Sequence, residues 1–311
     1  MPLRGLVLSL ATVALLQACS PSNDTAPDIA DVERPVATID IEGPAIWRVA
    51  DEDTTVYLYG TVHVLRAGTD WLDEDIVDML SGSDALYFEA DVDSAVAQSE
   101  LISAVTELGL YTDGSTLSER LDEAAEKEVD EALALLGVPR SSFDNMRPWL
   151  AAIQMSDLHL MGQGFSRDGG VERILGQRAR SASIPLRYLE TGAEQIELLS
   201  GLSEDSQIDM LVETARQIED EPDILDEMIA EWAEGDVEAL ATLVTEDETF
   251  VSEEATEVML TNRNANWAVQ IDALMNDEAG VFFVAVGAAH LVGDGKIQDQ
   301  LQDFGHIADR L

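Results

Sequence analysis

The chain has 311 residues, of which 46% are hydrophobic, so it is long enough to bury the core of one large domain or of two ordinary ones. It carries 62 acidic residues and a formal net charge of −45, whereas its only lysines are Lys127 and Lys296. A surface of this charge repels nucleic acid and anionic membranes, so neither is expected to bind through charge. The acidic residues are spread along the chain, which favours a solvated surface; a divalent-cation site is the alternative.

The first residues have the features of a targeting segment. Arg4 precedes an apolar run over 6–16, which is too short to span a bilayer in a mature protein. The run ends in LQACS, which resembles a bacterial lipoprotein box and predicts cleavage before Cys19 and lipidation of its thiol. An ordinary secretory signal with an incidental cysteine is the alternative. Cys19 is the only cysteine, so an internal disulfide is impossible.

The predicted organisation has three parts: a lipoprotein signal peptide at 1–18, a flexible tether at 19–44 and a folded domain at 45–311. The tether is rich in proline, aspartate, serine and threonine, a composition typical of flexible linkers. No other segment approaches transmembrane length. Because Ser20 follows the cysteine, we expect a lipid-anchored protein of the bacterial cell envelope, in the outer membrane and facing the periplasm.

The folded part is predicted to alternate between strands and helices. Short apolar runs at 45–50 and 56–59 flank the polar turn at 51–53 and predict a β-hairpin. Further strands are predicted at 85–88, 184–189, 281–286 and, at an edge, 307–311. Helices are predicted at 73–80, through most of 94–180, at several places in 193–276, and at 297–304. This order predicts an α/β fold, a mixed central sheet with a large helical insertion that caps it over about 94–180 and 193–276.

The apolar strands end at residues that can carry chemistry. The run YLYGTVH places His63 three residues after Gly60, and VFFVAVGAAH places His290 three residues after Gly287. Two other runs lead into Glu89 and Glu190, each at the end of its predicted strand. In open α/β sheets, ligands bind outside the carboxyl ends of the strands. If these strands are parallel neighbours, two histidines and two carboxylates meet at one edge of the sheet.

Two imidazoles with carboxylates suit manganese, iron, cobalt or zinc, so His63, His290 and Glu89 are candidate metal ligands. A bound metal would activate water and polarise a carbonyl, and a second carboxylate would act as general base. Without a metal, the two histidines and Glu89 would shuttle protons as general acids and bases. A single GxxH is a weak signal. Two copies that each close an apolar strand, in a chain with four histidines, favour a shared functional site.

Several motifs, taken together, resemble those of the TraB/GumN/PrgY family, which is related to the Tiki metalloproteases and more distantly to erythromycin esterases and the haem-binding ChaN fold. They occur in the family's order and cover about 45–311. The matching motifs are YLYGTVH at 57–63, YFEAD at 87–91, RYLET at 187–191 followed by EQIELL, RNANW at 263–267, and VGAAHLVGDGKI at 286–297.

The resemblance implies a mixed sheet with helices, built around a pseudo-symmetric pair of GxxH units. It also implies that His63, Glu89 and His290 belong to the active centre, which in the Tiki branch is that of a metal-dependent peptidase. The chain departs from the family pattern at GVE, where Glu172 stands in place of an expected aspartate. If that position touches the site, the longer side chain alters its geometry.

Arg263 and Asn264 precede the second strand-GxxH unit on a predicted helix. Arginine offers a bidentate fork, so the pair is a candidate for holding a substrate carboxylate or carbonyl. A helix cap or an internal ion pair is an equal alternative in a chain that is poor in arginine and rich in acid.

Two hypotheses about function follow. The first is a lipid-anchored envelope hydrolase, metal-dependent and peptidase-like, acting on peptide or ester-like bonds of a peptide or small molecule. In it His63 and His290 are ligands, Glu89 is a ligand or base, and Glu190 is a supporting or substrate-side carboxylate. The alternative is a non-catalytic binding or scaffold lipoprotein that holds a metal, haem or an envelope polymer.

Overall fold

A computed structural model describes residues 43–245 and 252–311. The predicted signal peptide, Cys19 and nearly all of the predicted tether lie outside these residues. The strands are β1 Ile46–Ala50, β2 Thr54–Thr61, β3 Leu65–Arg66, β4 Ala85–Asp91, β5 Phe165–Ser166, β6 Leu186–Thr191, β7 Gly280–Gly287 and β8 Ala308–Arg310. No helix in these two ranges is long and apolar enough to cross a membrane.

The helices lie between the strands in the order expected from the sequence. They are α1 Glu74–Ser81, α2 Ala95–Leu108, α3 Glu123–Leu136, α4 Pro148–Gly162, α5 Val171–Ser181, α6 Gly192–Gly201, α7 Glu204–Asp220, α8 Ile224–Glu234, α9 Val237–Thr245, α10 Glu253–Thr256, α11 Asn262–Asp277 and α12 Ile297–Gln302. A π-helical turn, Glu257–Thr261, joins α10 to α11. The predicted α/β class is therefore confirmed.

The central sheet has six strands in the order β6-β4-β7-β2-β1-β8. The predicted hairpin is confirmed: β1 and β2 are antiparallel, and the Asp51 carboxylate accepts a hydrogen bond from the Thr54 N–H at their turn. β2 pairs with β7, β7 with β4, and β4 with β6, and all three pairs are parallel. The C-terminal β8 pairs with β1 at the edge, as expected.

Side chains of β7 alternate between two apolar layers, one on each face of the sheet. Phe282 packs with Trp267 of α11 and Ile297 of α12 on one face. Phe283 packs with the larger layer on the other face, which contains buried residues from both predicted helical intervals, including Trp149 and Trp232. Burying one such side chain contributes about 1.5–3 kcal/mol, so β7 is held firmly from both sides.

Local sequence signals explain most helix ends. The Asp73 carboxylate caps α1 by accepting from the Asp75 N–H, and Ser94 caps α2 by accepting from the Ala97 N–H. Gly137 ends α3 in the left-handed conformation at φ 71°, which glycine adopts without steric cost.

Two expectations need correction. The strand predicted at 184–189 is observed at Leu186–Thr191, because Thr191 both ends β6 and caps α6 through the Glu194 N–H. The segment predicted as mainly helical also contains β5, which pairs with β3 in a second, two-stranded sheet. Strands of two residues are too short to give a period-2 signal, so the sequence pattern missed this pair.

Candidate functional site

The carboxyl ends of four parallel strands meet at one edge of the sheet. Glu89 and Glu190 lie within the last residues of β4 and β6, whereas His63 and His290 follow β2 and β7. Gly60 of β2 permits close packing against the segment after β7, since a Cβ at this position would stand 3.1 Å from the Cα of Ala288. The condition stated from the sequence, that these strands are parallel neighbours, therefore holds, and it brings these four side chains to the same end of the sheet.

Arg263 links the two carboxylates. Its Nη2 lies 2.6 Å from Glu89 Oε2 and 2.5 Å from Glu190 Oε1, and its Nε donates to the same Glu190 oxygen at 3.1 Å. Only 2% of the Arg263 side chain is exposed, against 8% for Glu89 and 11% for Glu190. Burial raises the pKa of Glu190, although the Arg263 charge opposes the shift. Arg263, Glu89 and Glu190 therefore form a buried salt-bridge cluster of one cation and two carboxylates.

Gln195 completes the cluster. Its Nε2 donates to Glu190 Oε1 at 2.8 Å and, less closely, to Glu89 Oε2 at 3.4 Å. The other oxygen of Glu89, Oε1, accepts from the Gly287 N–H at 2.7 Å. Glu89 is thus held by a guanidinium, a backbone amide and a side-chain amide, so its position is fixed.

His290 is fully buried and its tautomer follows from its partners. Asn264 Nδ2 donates to the Gly295 carbonyl at 3.0 Å, which directs the Asn264 Oδ1 toward His290 Nδ1, 2.6 Å away. His290 Nδ1 therefore carries the proton, and the lone pair of Nε2 faces Arg263 Nη1 at 3.2 Å. Burial, together with the charges of Arg263 and His63, lowers the pKa of His290 well below its usual value. His290 is consequently neutral.

The helical segment before α11 directs Arg263 into the cluster. The π-helical turn ends one residue before α11 begins, and Arg263 Nη1 donates to the Met259 carbonyl in that turn at 3.0 Å. The guanidinium carbon also lies 4.6 Å from the ring centre of Trp267, whose ring stands 4.4 Å from that of His290. π-helical turns are often found at functional sites. The polar atoms of Arg263 and Asn264 are engaged by protein groups, and their substrate-binding role stays a prediction.

His63 forms a separate pair with Glu172. His63 Nδ1 lies 2.5 Å from Glu172 Oε1, and the Thr61 hydroxyl also donates to that oxygen. The side chains are 19% and 25% exposed, so this pair reaches solvent while His290 does not. Burial alone would lower the pKa of His63, but the Glu172 charge and hydrogen bond, with a contribution from Glu89, raise it overall.

The loop before α5 brings Glu172 to His63. The Val171 N–H donates to the Val62 carbonyl at 3.0 Å, which ties the start of α5 to the end of β2. Gly170 is required there, because a Cβ at this position would stand 2.1 Å from the His63 carbonyl oxygen. The pKa of Glu172 is lowered: burial opposes the ionised form, but the His63 charge and the hydrogen bonds from His63 and Thr61 outweigh it.

Sequence reasoning did not assign Thr61, Gln195 or Glu172 to the site. Glu172 was available as a signal, since it is the position at which the chain departs from the family pattern. Thr61 and Gln195 lie within the motifs YLYGTVH and EQIELL, but the motifs do not tell which of their side chains face the site. His159 and His306 lie elsewhere: His159 is in α4 beside Gln163, and His306 pairs with Asp272 at 2.8 Å.

The observed arrangement does not fit a metal held by His63, His290 and Glu89. Among residues 43–245 and 252–311, no group of three or more histidine, cysteine, aspartate or glutamate side chains is arranged to hold a metal ion. Arg263 contacts both Glu89 Oε2 and His290 Nε2, so a cation already lies against two of the three expected ligands. The metal therefore stays a prediction, and binding there requires Arg263 to move.

The fold and site are those of an α/β protein with two strand-GxxH units and a buried arginine–carboxylate cluster. A family model described as the TraB/PrgY/gumN family matches residues 45–310, so the chain belongs to this family. The chain is also similar to the "Uncharacterized protein YbaP" of Escherichia coli (strain K12), with 24% identity over 83% of this chain and 92% of the relative. The protein of the same name from Shigella flexneri is 24% identical over 79% and 87% of the two chains. No solved structure matches the chain.

Proposed function

We propose that this chain is a hydrolase of peptide or ester-like bonds in which His63 moves the proton. The observation that carries the proposal is the His63–Glu172 pair at the carboxyl edge of the sheet, 2.5 Å between Nδ1 and Oε1. A carboxylate on Nδ1 fixes the tautomer and the orientation of an imidazole, which leaves Nε2 for the reaction. The His63 side chain is 19% exposed, and the proposal requires that water and substrate reach Nε2 from this side.

In this mechanism neutral His63 takes a proton from water through Nε2, and the water attacks the carbonyl carbon of the substrate. The imidazolium that forms is stabilised by Glu172, which bonds Nδ1, and by the charge of Glu89. His63 then returns the proton to the leaving group. Because the pKa of His63 is raised, a pH above the usual pKa of histidine is needed to make most of its imidazole neutral and therefore basic.

In this proposal the buried cluster holds the charged groups of the site in place before the substrate binds. Arg263 holds Glu89 and Glu190 in fixed positions, so no reorganisation of these charges is needed during the reaction. His290 keeps Arg263 in place through Nε2 and, being neutral, adds no positive charge beside His63. A metal-dependent form of the reaction would require Arg263 to release Glu89 and His290.

We place this activity in the bacterial cell envelope, on a protein anchored by a lipid on Cys19 in the outer membrane and facing the periplasm. The support is the sequence of the first residues: a charged start, a short apolar run and a small residue before the single cysteine. Metabolic labelling with a radioactive fatty acid tests the anchor, which a Cys19→Ala variant should lose.

A non-catalytic binding or scaffold protein is the second candidate. The observation that favours it is the burial of His290, Glu89 and Arg263, whose polar atoms are satisfied by one another. Such a cluster could serve only to join β4, β6, β7 and α11. In that case His63 and Glu172 are a partly exposed ion pair with no chemical role.

A peptide-library cleavage assay on the full-length chain, with and without chelator, separates the two candidates. We expect cleavage by the wild type, and loss of about a hundredfold or more in His63→Ala, in line with removal of a general base. His159→Ala is the matched control, because it removes a histidine from α4 away from the sheet edge. Absence of cleavage in the wild type, or equal loss in both variants, would refute the proposal.

A further inference from the structure

A cavity of about 350 Å³ lies away from the strand-end site and shares no residue with it. It is formed where the segment after α2 meets the start of α4 and the junction of α6 with α7. Its volume is at the lower end of the range for small-molecule pockets, roughly 300–1,000 Å³. It therefore has room for a small molecule or the end of a peptide.

Two guanidinium groups flank one aromatic ring in this cavity. The guanidinium carbons of Arg120 and Arg147 lie 5.7 Å and 5.1 Å from the ring centre of Tyr111. The whole chain has only 17 basic residues against 62 acidic ones, so two arginines at one cavity are a local concentration of positive charge. Arg147 forms no ion pair within the described part of the chain, in contrast to the buried Arg263.

The donors at the cavity are only partly used by the protein, because Arg120 Nη2 donates to the Ser115 hydroxyl at 3.2 Å. The Tyr111 hydroxyl is shielded from solvent, and no well-formed hydrogen bond joins it to any described residue. Burial raises the pKa of Tyr111, so the hydroxyl stays a donor at neutral pH. The 15-residue helix α4 begins at the cavity with Pro148, which places the positive end of its dipole there. These groups together suit a carboxylate.

The cavity is also lined by negatively charged side chains. Asp113 and Glu204 line the same cavity, and Glu204 Oε1 forms an ion pair with Arg120 Nε at 3.6 Å. Two guanidiniums and two carboxylates balance each other, so the complementary ligand bears one negative and one positive group. A ligand without net charge is also not repelled by a protein of net charge −45.

We infer that this cavity binds the zwitterionic end of a small amino compound, an amino acid or short peptide. Its carboxylate contacts Arg147 and Arg120, and its ammonium group contacts Asp113 and Glu204. Arginine recognises carboxylates through paired N–H donors, which gives the site its preference for this group. The inference does not depend on the proposed hydrolysis, because the two sites have no residue in common.

Isothermal titration calorimetry of the full-length chain with L-alanyl-L-alanine tests the inference. Saturable binding is expected in the wild type. The dipeptide amide, which lacks the carboxylate, and Arg147→Ala should each bind about tenfold to a hundredfold more weakly, since each loses charge-assisted hydrogen bonds. The N-acetylated dipeptide should also bind more weakly, because Asp113 and Glu204 lose their ammonium partner.

Arg178→Ala is the matched control, because Arg178 is exposed on α5 and does not line the cavity. Its affinity should equal that of the wild type, and His63→Ala should also bind normally even though it is expected to lose most of its cleavage activity. No saturable binding by the wild type, equal affinity for the dipeptide and its amide, or equal weakening by Arg178→Ala would overturn the inference.

Discussion

Replacing Glu172 by glutamine should change both the protonation and the activity of His63. The substitution keeps the size of the side chain and removes the charge that lies 2.5 Å from His63 Nδ1. A hydrogen bond to a charged group contributes about 1.5–3 kcal/mol, which corresponds to roughly ten- to a hundredfold in rate if the pair orients the base. Without Glu172, the largest remaining influence on His63 is burial, which lowers its pKa.

Nuclear magnetic resonance of histidine-labelled protein measures this pKa directly, because the chain has only four histidines. The titration of His63 should move to lower pH in Glu172→Gln, and the acidic limb of the pH–rate profile should move with it. Glu172→Asp keeps the charge and should retain much of the raised pKa. Glu197→Gln, an exposed change on α6, is the control and should leave both quantities unchanged. An unshifted His63 titration in Glu172→Gln would refute this reasoning.

Further predictions concern stability and metal binding. Arg263→Met leaves Glu89 and Glu190 buried without their cation and should lower the free energy of unfolding by about 3–5 kcal/mol; urea denaturation measures it, and a loss below about 1 kcal/mol would contradict the buried ion pair. Gly170→Ala places a Cβ 2.1 Å from the His63 carbonyl, so it should reduce both stability and activity, unlike Gly162→Ala, which meets nothing within 4 Å. The raised pKa of His63 stabilises the fold fully below pH 6.5, and this stabilisation is lost as the pH rises through the pKa of His63 in the folded protein. The lowered pKa of Glu172 stabilises the fold fully above pH 4.5, and this stabilisation is lost as the pH falls through the pKa of Glu172 in the folded protein. The difference in free energy of unfolding between wild type and Glu172→Gln should therefore be greatest between pH 4.5 and 6.5. A difference that keeps growing outside this window would contradict the ion pair between His63 and Glu172. Elemental analysis tests the metal prediction: if a metal displaces Arg263 from Glu89 and His290, His63→Ala should abolish its uptake, whereas unchanged metal content would place the ion elsewhere.

The strand-end residues were predictable because they depend on local patterns. An apolar run predicts a buried strand, and the residue that follows it is placed at the strand's end whatever the rest of the fold does. His63, Glu89, Glu190 and His290 were found in this way. The rule that ligands bind at the carboxyl ends of parallel strands then predicted that these residues lie together at one edge of the sheet. The strand order, which the sequence pattern did not give, was needed to show that the four ends are neighbours.

The pairing of these residues was not predictable from the pattern. Arg263 was equally compatible with a substrate contact and an internal ion pair, because a helical position does not reveal what its side chain faces. The structure shows it between Glu89 and Glu190, at positions 174 and 73 residues away along the chain. The partner of His63 was likewise open until the loop at Gly170 was placed against it.

The sequence by itself determined the α/β class, the two strand-GxxH units and the excess of acid that shapes the whole surface. These properties follow from composition and from the 2.0 and 3.6 residue periods, which act over short distances along the chain. Only the tertiary structure decided that Arg263 holds the two carboxylates, that His290 is buried and neutral, and that Glu172 pairs with His63 Nδ1. Such contacts join distant segments through packing, and their charges depend on burial, which no local pattern reports.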